Sequence, residues 1–440
     1  MPIVSNFNIT EKWQFKCASR AFLPQLAVVP FMQEDSCRCR PLVKVGDKVS
    51  EGQIIATPLS IIKNSYSANI HAPLPGVVKE IRSVSLPDGK RSDAAVIAVG
   101  GSFSFLGKKN FPAEWSLFSP ESLQSMIAEK GIISTFEKPC SLASEISRVK
   151  SSSKRFVVLR LFDEDPSRQT DSFVSNRYPA QVAEGCAIIA SALKAEGIIL
   201  VASKKDGSPI TTEIKSRFFE NIENTTVSAD TSQYPCGFKR DIVRLVKKNS
   251  KNIAPVFESL SHKDLFIDPE TAFAVYEAVV CGIPMTSCFV HVTGDCLRVS
   301  GVLRVSIGTS MGFLASQCGG FLHNVSKVVV NGLYTGTAAP GFDVPVTKIV
   351  KSVTFLPVFE LVDPHYACCV RCGECRKVCP EHLYPDLLHS RLKGMDKVVK
   401  KELLETALLC SGCSLCNSVC PSRLPLSQSI AVLKKERNYE

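Results

Sequence analysis

Runs of β-branched residues only a few positions long, separated by tight-turn pairs, open the readable part of this chain. Between Pro41 and Val78 they alternate with Gly46-Asp47, Glu51-Gly52 and Pro75-Gly76, the rhythm of a small all-β barrel. From about residue 110 to 260 the pattern changes. Apolar strand-like runs at Arg155–Leu161 and Gly197–Ser203 mix with helical stretches, and Gln181–Leu193 predicts an apolar helix feeding the second strand. That alternation predicts an α/β unit. A helix is predicted over Glu270–Val280. After it, Val290–Gly320 predicts short β-segments turning at Thr293-Gly294-Asp295 and Gly319-Gly320, and Val328–Phe355 predicts more β-structure, together a small α+β unit. Near the end, Leu387, Leu388, Leu392, Met395, Val398, Val399, Leu403 and Leu404 recur at helical spacing, so the last unit is expected to be helical.

A length of 440 residues exceeds what one core supports and suggests three or four domains. The most apolar stretch, Cys186–Ala202, is interrupted by Lys194 and Glu196, so no membrane span is expected. The opening MPIVSNFNITEKWQFK has no basic segment followed by an apolar core, and no signal peptide is expected. A net charge of +10 favours anionic headgroups or an acidic electron-transfer partner. Nucleic acid is not expected, because the Lys and Arg residues are dispersed and no recognition motif accompanies them.

The helical end carries the chemistry. Cys369, Cys372, Cys375 and Cys379-Pro380 follow one spacing, and Cys410, Cys413, Cys416 and Cys420-Pro421 repeat it. Three thiolates at C-x2-C-x2-C can hold three corners of a 4Fe-4S cube, while the cysteine before proline reaches the other cube. One cluster is therefore assigned Cys369, Cys372, Cys375 and Cys420, and the second Cys410, Cys413, Cys416 and Cys379. A zinc ribbon would need two C-x2-C pairs per ion, and disulfides would need an oxidising compartment; neither explains two triplets each followed by Cys-Pro. Cys368 has no slot in the pattern and is taken as a spare thiol. Most of the eleven cysteines outside the two motifs, Cys37, Cys39, Cys288 and Cys296 among them, are expected to pack as small apolar groups. His71 and His291 are read as packing or surface residues, and Met285 and Met311 as packing. His365 and His382 flank the first motif. Arg371, Arg376, Lys377 and Arg423 lie beside the motifs and could favour reduced clusters, dock an acidic ferredoxin or flavodoxin, or only solvate the surface.

The barrel segment ending Ala68-Asn-Ile-His-Ala-Pro73 resembles the barrel-sandwich domain of lipoyl and biotinyl carriers. The tip around Ser65–Asn69 lacks their lysine, with Lys63 the nearest, so a carrier role is not expected. The order of parts is similar to the RnfC-type subunit of the Rnf ion-translocating oxidoreductases, over about residues 40 to 432. The most specific pieces are that barrel segment, Thr271–Pro284, Val292-Thr-Gly-Asp295 through Ile307-Gly-Thr309, Pro345–Lys348 and Cys410–Leu426. The resemblance implies a multidomain α/β and α+β chain of four parts. Residues 1–105 would form an N-terminal segment and barrel-sandwich (lipoyl-like) β domain, and 106–284 an α/β domain like the flavin/NADH subunit of complex I. Residues 285–355 would be a β-grasp domain, and 356–440 an α-helical two-cluster ferredoxin domain. It further implies a peripheral electron-transfer subunit on the cytoplasmic face of the bacterial inner membrane. Its partners would be membrane subunits of an Rnf-like complex and a soluble carrier (ferredoxin, flavodoxin or NADH), with electron flow coupled to ion translocation.

One part departs from that family. Its glycine-rich loop, whose backbone amides cradle FMN and NADH phosphates, corresponds here to Glu129–Cys140 with the single Gly131. Ile132, Phe136 and Glu137 are expected to block close backbone approach. Candidates left for a flavin/NADH site are Asp163 and Asp165, with Asp171 at the matching offset, and Tyr234 and Gly237, followed by Lys239 where an acid is usual. The alternative is a solvated loop at Asp163–Asp165 and an ordinary turn at Tyr234–Gly237. Two versions of the function follow: NADH handled through FMN, or ferredoxin or flavodoxin feeding the clusters directly with the α/β domain as scaffold. A soluble iron-sulfur partner of a dehydrogenase or heterodisulfide reductase, and a cluster-bearing scaffold, are the readings from other classes.

Overall fold

The computed structural model describes residues 21–33, 38–59, 68–103, 113–137, 139–150, 155–358, 368–392 and 397–436. The first unit contains β1 (Leu26–Pro30), β2 (Cys39–Pro41), β3 (Lys48–Val49), β4 (Ile54–Pro58), β5 (Ile70–His71), β6 (Gly76–Ser85) and β7 (Arg91–Val99). Sheets β1-β7-β6-β3 and β2-β4-β5 enclose Val29, Ile55, Ile70, Val78 and Ile97. The barrel's expected tip, with Lys63 and Ser65, lies outside the described residues, as does Cys37.

The second unit runs α1 (Pro120–Glu129), β8 (Ile133–Ser134), β9 (Cys140–Ser141), α2 (Leu142–Lys150), β10 (Phe156–Arg160), α3 (Thr170–Arg177), α4 (Pro179–Leu193), β11 (Gly197–Ser203), α5 (Thr212–Phe218), β12 (Glu223–Ala229), α6 (Lys239–Lys248), β13 (Leu265–Ile267) and α7 (Pro269–Val279). Strands β12-β11-β10-β13 form a wholly parallel sheet. Every residue of β10 and β11 is buried, as a parallel sheet covered on both faces requires. Alternation along β10 sends Val157 and Leu159 into the core beneath α4 and α7, and Phe156 and Val158 into the one beneath α6. Gly185 lets α4 lie directly on α7, since a Cβ there would sit 1.9 Å from the Ala272 carbonyl oxygen. Helix α7 starts where Asp268 accepts from the Thr271 amide at 2.8 Å and Pro269 occupies the first turn.

The third unit is the five-stranded sheet β15-β14-β18-β16-β17 with one helix. Its elements are β14 (Ser287–Thr293), β15 (Gly301–Ser306), α8 (Met311–Gln317), β16 (Val325–Val330), β17 (Thr337–Ala339) and β18 (Ser352–Pro357), with β14 and β18 paired in parallel. The expectation of β-segments alone through Gly320 missed α8. Met311, Leu314 and Ala315 form its buried face, and the Ser310 hydroxyl accepts from the Phe313 amide to start it; seven residues are too few for the period to stand out.

The last unit holds α9 (Glu374–Lys377), α10 (Pro385–Arg391), α11 (Lys397–Ala407), α12 (Leu415–Ser418) and α13 (Leu426–Glu436). Leu388, Leu403, Leu404, Ala407, Ile430 and Leu433 make its apolar core. The leucines expected at helical spacing thus serve two helices. His365, Met395 and the side chains of Val398 and Val399 lie outside the described residues.

Lys351, just before β18, ties the third unit to the second. Its ammonium, fully buried, donates to Asp171 of α3 at 2.8 and 2.9 Å and to Asp268 at the start of α7 at 2.8 Å. Burial alone would lower the Lys351 pKa, yet the two carboxylates raise it. Burial pushes Asp171 up to about 7 despite Lys351, while Lys351 overcomes burial at Asp268 and holds it low. Removing one member strands the others without water. Lys351→Met is expected to destabilise the protein by about 3–5 kcal/mol, read as a lowered thermal midpoint and early proteolysis; an unchanged midpoint would show that the two acids find other partners.

Candidate functional site

The two cysteine motifs fold as copies of each other. Arg371, Gly373 and His382 in the first, and Gly412, Ser414 and Arg423 at matching positions in the second, all have left-handed backbone with φ between +52° and +83°. Four of those six residues carry side chains that ordinarily avoid this region, so the wrap around the thiols is imposed twice over. Backbone amides turn towards sulfur: Gly412 N–H donates to Cys410 Sγ at 3.4 Å, and Leu383 N–H to Cys379 Sγ at 3.3 Å. Helices α9 and α12 present the third cysteine of each triplet, Cys375 and Cys416, to a small shared core with Leu424 and Leu426.

Cys369, Cys372, Cys375 and Cys420 line one open cavity, with Asp386, Ser422, Leu424 and Leu426 also in its wall. The fourth thiol therefore comes from the other motif. The remaining four also gather. Cys416 is pushed up to about 12 by burial and then by Cys410, Cys413 and Cys379; Cys413 is pushed up to about 11, chiefly by burial, with Cys410 and Cys379 adding to it. Four thiols gathered around one cavity suit a 4Fe-4S cube, whose irons each take one of them.

The two sets differ in exposure. Cys369 and Cys372 are exposed, whereas Cys413 and Cys416 are buried. Part of that burial comes from contact with the α/β unit. The Tyr234 hydroxyl donates to the Cys413 carbonyl at 2.6 Å, and Glu381, two residues past Cys379, pairs with Arg244 and Arg240 of α6. Burial, together with nearby Cys413 and Asp165, raises the Tyr234 phenol far up, so it keeps the proton it donates.

The flavin/NADH candidates come together, but around the protein's own side chains. Asp163 accepts from the Asp171 and Ser172 amides at 3.1 and 3.0 Å, starting α3. Asp165 accepts from the Tyr334 and Thr335 amides at 3.0 and 2.9 Å, fastening the third unit. Neither forms the solvated loop that was the alternative: Asp165 is fully buried and the Asp163 side chain nearly so. Ligands of parallel sheets enter beyond the carboxyl ends of the strands. There, Arg160 at the end of β10 is completely buried, donating to the Phe162 and Gly237 carbonyls at 2.9 and 3.0 Å and pairing with Glu164 at 2.5 Å. Its guanidinium lies 4.4 Å from the Phe136 ring centroid. Glu137, in the loop matching the family's glycine-rich segment, turns its carboxylate to accept from the Lys239 amide at the start of α6 at 3.0 Å. Gly237, at φ +93°, is pressed against Phe162 and Arg160. These residues do not fit FMN. Sequence reasoning missed Arg160, whose signal was a charge ending an otherwise apolar strand.

Among the described residues no helix is long and apolar enough to cross a membrane. Residues 12–102 match the family model of the RnfC barrel sandwich hybrid domain. Similar proteins include the C subunit of the proton-translocating ferredoxin:NAD(+) oxidoreductase complex of Clostridium ljungdahlii, 24% identical over 83% of this chain and 78% of that one. Another is the C subunit of the ion-translocating oxidoreductase complex of Methanosarcina acetivorans, 25% identical over 82% of this chain and 81% of that one. A crystal structure of an H2-reduced NAD+-reducing [NiFe]-hydrogenase aligns with 72% of this chain and 63% of its own at 16% identity, with a TM-score of 0.47.

The filled crevice yields an expected outcome. Anaerobically purified protein should contain no extractable flavin, leave added FMN fluorescence unquenched, and show no bleaching of its visible absorbance when NADH is added to saturation. Stoichiometric flavin would show that Arg160 and Phe136 swing out of the crevice.

Proposed function

We infer that this chain, a member of the RnfC family of the Rnf-type ion-translocating oxidoreductases, is the peripheral electron-transfer subunit of such a membrane complex. It relays electrons between a soluble carrier and the membrane subunits, and the complex couples that flow to ion translocation. The observation that carries the reading is the cavity in which Cys420 of the second motif joins Cys369, Cys372 and Cys375 of the first. That arrangement suits two 4Fe-4S clusters cross-linked through Cys379 and Cys420.

When bound, the clusters supply one-electron transfer; the chain supplies ligation, burial and charge. Cys369, Cys372, Cys375 and Cys420 would hold the outer cluster, and Cys410, Cys413, Cys416 and Cys379 the inner one. Amide donors such as those of Gly412 and Leu383 favour the more negative, reduced state. The proposed division is a barrel-sandwich domain within 1–105, a complex I flavoprotein-like scaffold within 106–284, a β-grasp domain within 285–355 and a ferredoxin module within 356–440. The five-stranded sheet with its single helix supports the β-grasp reading. The proposed location is the cytoplasmic face of the inner membrane.

Copurification tests the subunit role: the tagged chain should bring down membrane subunits in detergent, and recovery only in a soluble complex would favour the dehydrogenase-partner reading. Cross-ligation is tested by iron content. The full chain should hold about eight irons, and a Cys410→Ser, Cys413→Ser, Cys416→Ser chain about four. In that triple variant, adding Cys420→Ser should remove the remaining cluster, whereas adding Cys379→Ser should spare it. The reverse result would mean that each motif binds its own cube.

A further inference from the structure

The clusters' surroundings are unequal in a way that points outward from one of them. Of the four cations beside the motifs, two are already engaged. Arg376 holds Asp386 through two bonds, one of 2.8 Å, and lies 4.7 Å from the Tyr384 ring centroid. Lys377 pairs with Glu374 at 2.6 Å. Arg371 and Arg423 are exposed and carry no ion pair among the described residues. Arg371 lines the cavity between Cys369 and Cys372, and Arg423, though not itself in the wall, follows the lining residue Ser422 in the chain. Exposed Val370, also in the wall, adds apolar area there. At the other cysteine set, Glu381 meets α6 and Tyr234 covers the Cys413 backbone.

We propose that the Cys369–Cys372 edge, with Arg371 and Arg423, is the docking surface for an acidic, soluble one-electron carrier protein. This rests on the two-cluster reading above and deepens it. Charge complementarity selects the partner: exposed guanidiniums with no ion pair among the described residues, beside exposed Val370, steer a negatively charged protein into contact. One electron crosses per encounter, oxidising one partner and reducing the other, with no atom transferred. The filled nucleotide crevice makes a protein carrier, rather than a dinucleotide, the species that reaches this chain. The Cys410–Cys413–Cys416 set then faces inward.

The test uses the full-length holoprotein and an acidic bacterial 2[4Fe-4S] ferredoxin as probe. Association of the oxidised probe is followed by biolayer interferometry, and electron exchange with the reduced probe by stopped flow, at low and high salt. Arg371→Glu with Arg423→Glu should slow association about tenfold or more at low salt and flatten the salt dependence. Lys205→Glu, an exposed reversal on the α/β unit, should change it by less than about twofold. Unchanged association in a double variant that keeps its iron overturns the proposal. So does failure to copurify the membrane subunits with ferredoxin association intact, which would assign the edge to one of those subunits. If charge reversal costs iron, Arg371→Gln with Arg423→Gln under the same salt series decides. A wild-type chain without iron would instead sink the two-cluster reading itself.

Discussion

The buried ammonium of Lys351 is the constraint around which the domains are arranged. An uncompensated charge at that depth is prohibitive, so Asp171 and Asp268 must both stay in place, and each carries further structure. Asp171 also meets Arg160 at 3.4 Å, and Arg160 plugs the crevice at the sheet's carboxyl end. Asp268 caps α7, the helix on which α4 rests. The Lys351 amide donates to Asn331 Oδ1 at 2.7 Å, and the carbonyl accepts from Thr170 Oγ1 at 2.5 Å and the His291 amide at 2.8 Å. Small displacements of the third unit would break several of these at once. A joint of this kind holds the third unit against the second at a fixed place.

The joint reaches the cysteine module through aromatic contacts. Tyr334, whose amide is fixed by Asp165, packs its ring 4.8 Å from that of Tyr234, and Tyr234 donates to the Cys413 carbonyl. Residues that in the family resemblance suggested a nucleotide site thus anchor the sheet units to the inner cysteine set. Charge is handled in the same way: Arg160 at the end of β10 is held by the Phe162 and Gly237 carbonyls and by Glu164, and Glu137 by the Lys239 amide. Buried polar groups must find partners within the chain, and these have done so.

The parts of the structure written in local sequence were legible. Strands β10 and β11 and helices α4 and α7 followed from apolar runs, with the predicted starts at Gln181 and Glu270 falling one or two residues inside the observed Pro179 and Pro269. The cysteine spacing marked both motifs, and Cys369, Cys372, Cys375 and Cys420 line one cavity. Helix α8 was not legible, being only two turns long. Nor was the fate of Asp163, Asp165 and Tyr234, whose partners Ser172, Thr335 and Cys413 lie from 9 to 179 positions away. Motif reading recognises which residue types a site needs. It does not say whether distant parts of the chain have already claimed them.

The same distinction separates the four cations beside the cysteines. Spacing alone made Arg371, Arg376, Lys377 and Arg423 equivalent. Folding divides them: Arg376 and Lys377 lose most of their outward field to Asp386 and Glu374, partners within ten positions. Arg371 and Arg423 have left-handed backbone, are exposed and make no ion pair among the described residues. Exposed pairs contribute little to stability, so that costs the fold almost nothing. Their field is left free to act on whatever approaches Cys369 and Cys372. An internal repeat alone would make the two thiol sets equivalent; packing of one against α6 and Tyr234 leaves Cys413 and Cys416 buried while Cys369 and Cys372 stay exposed.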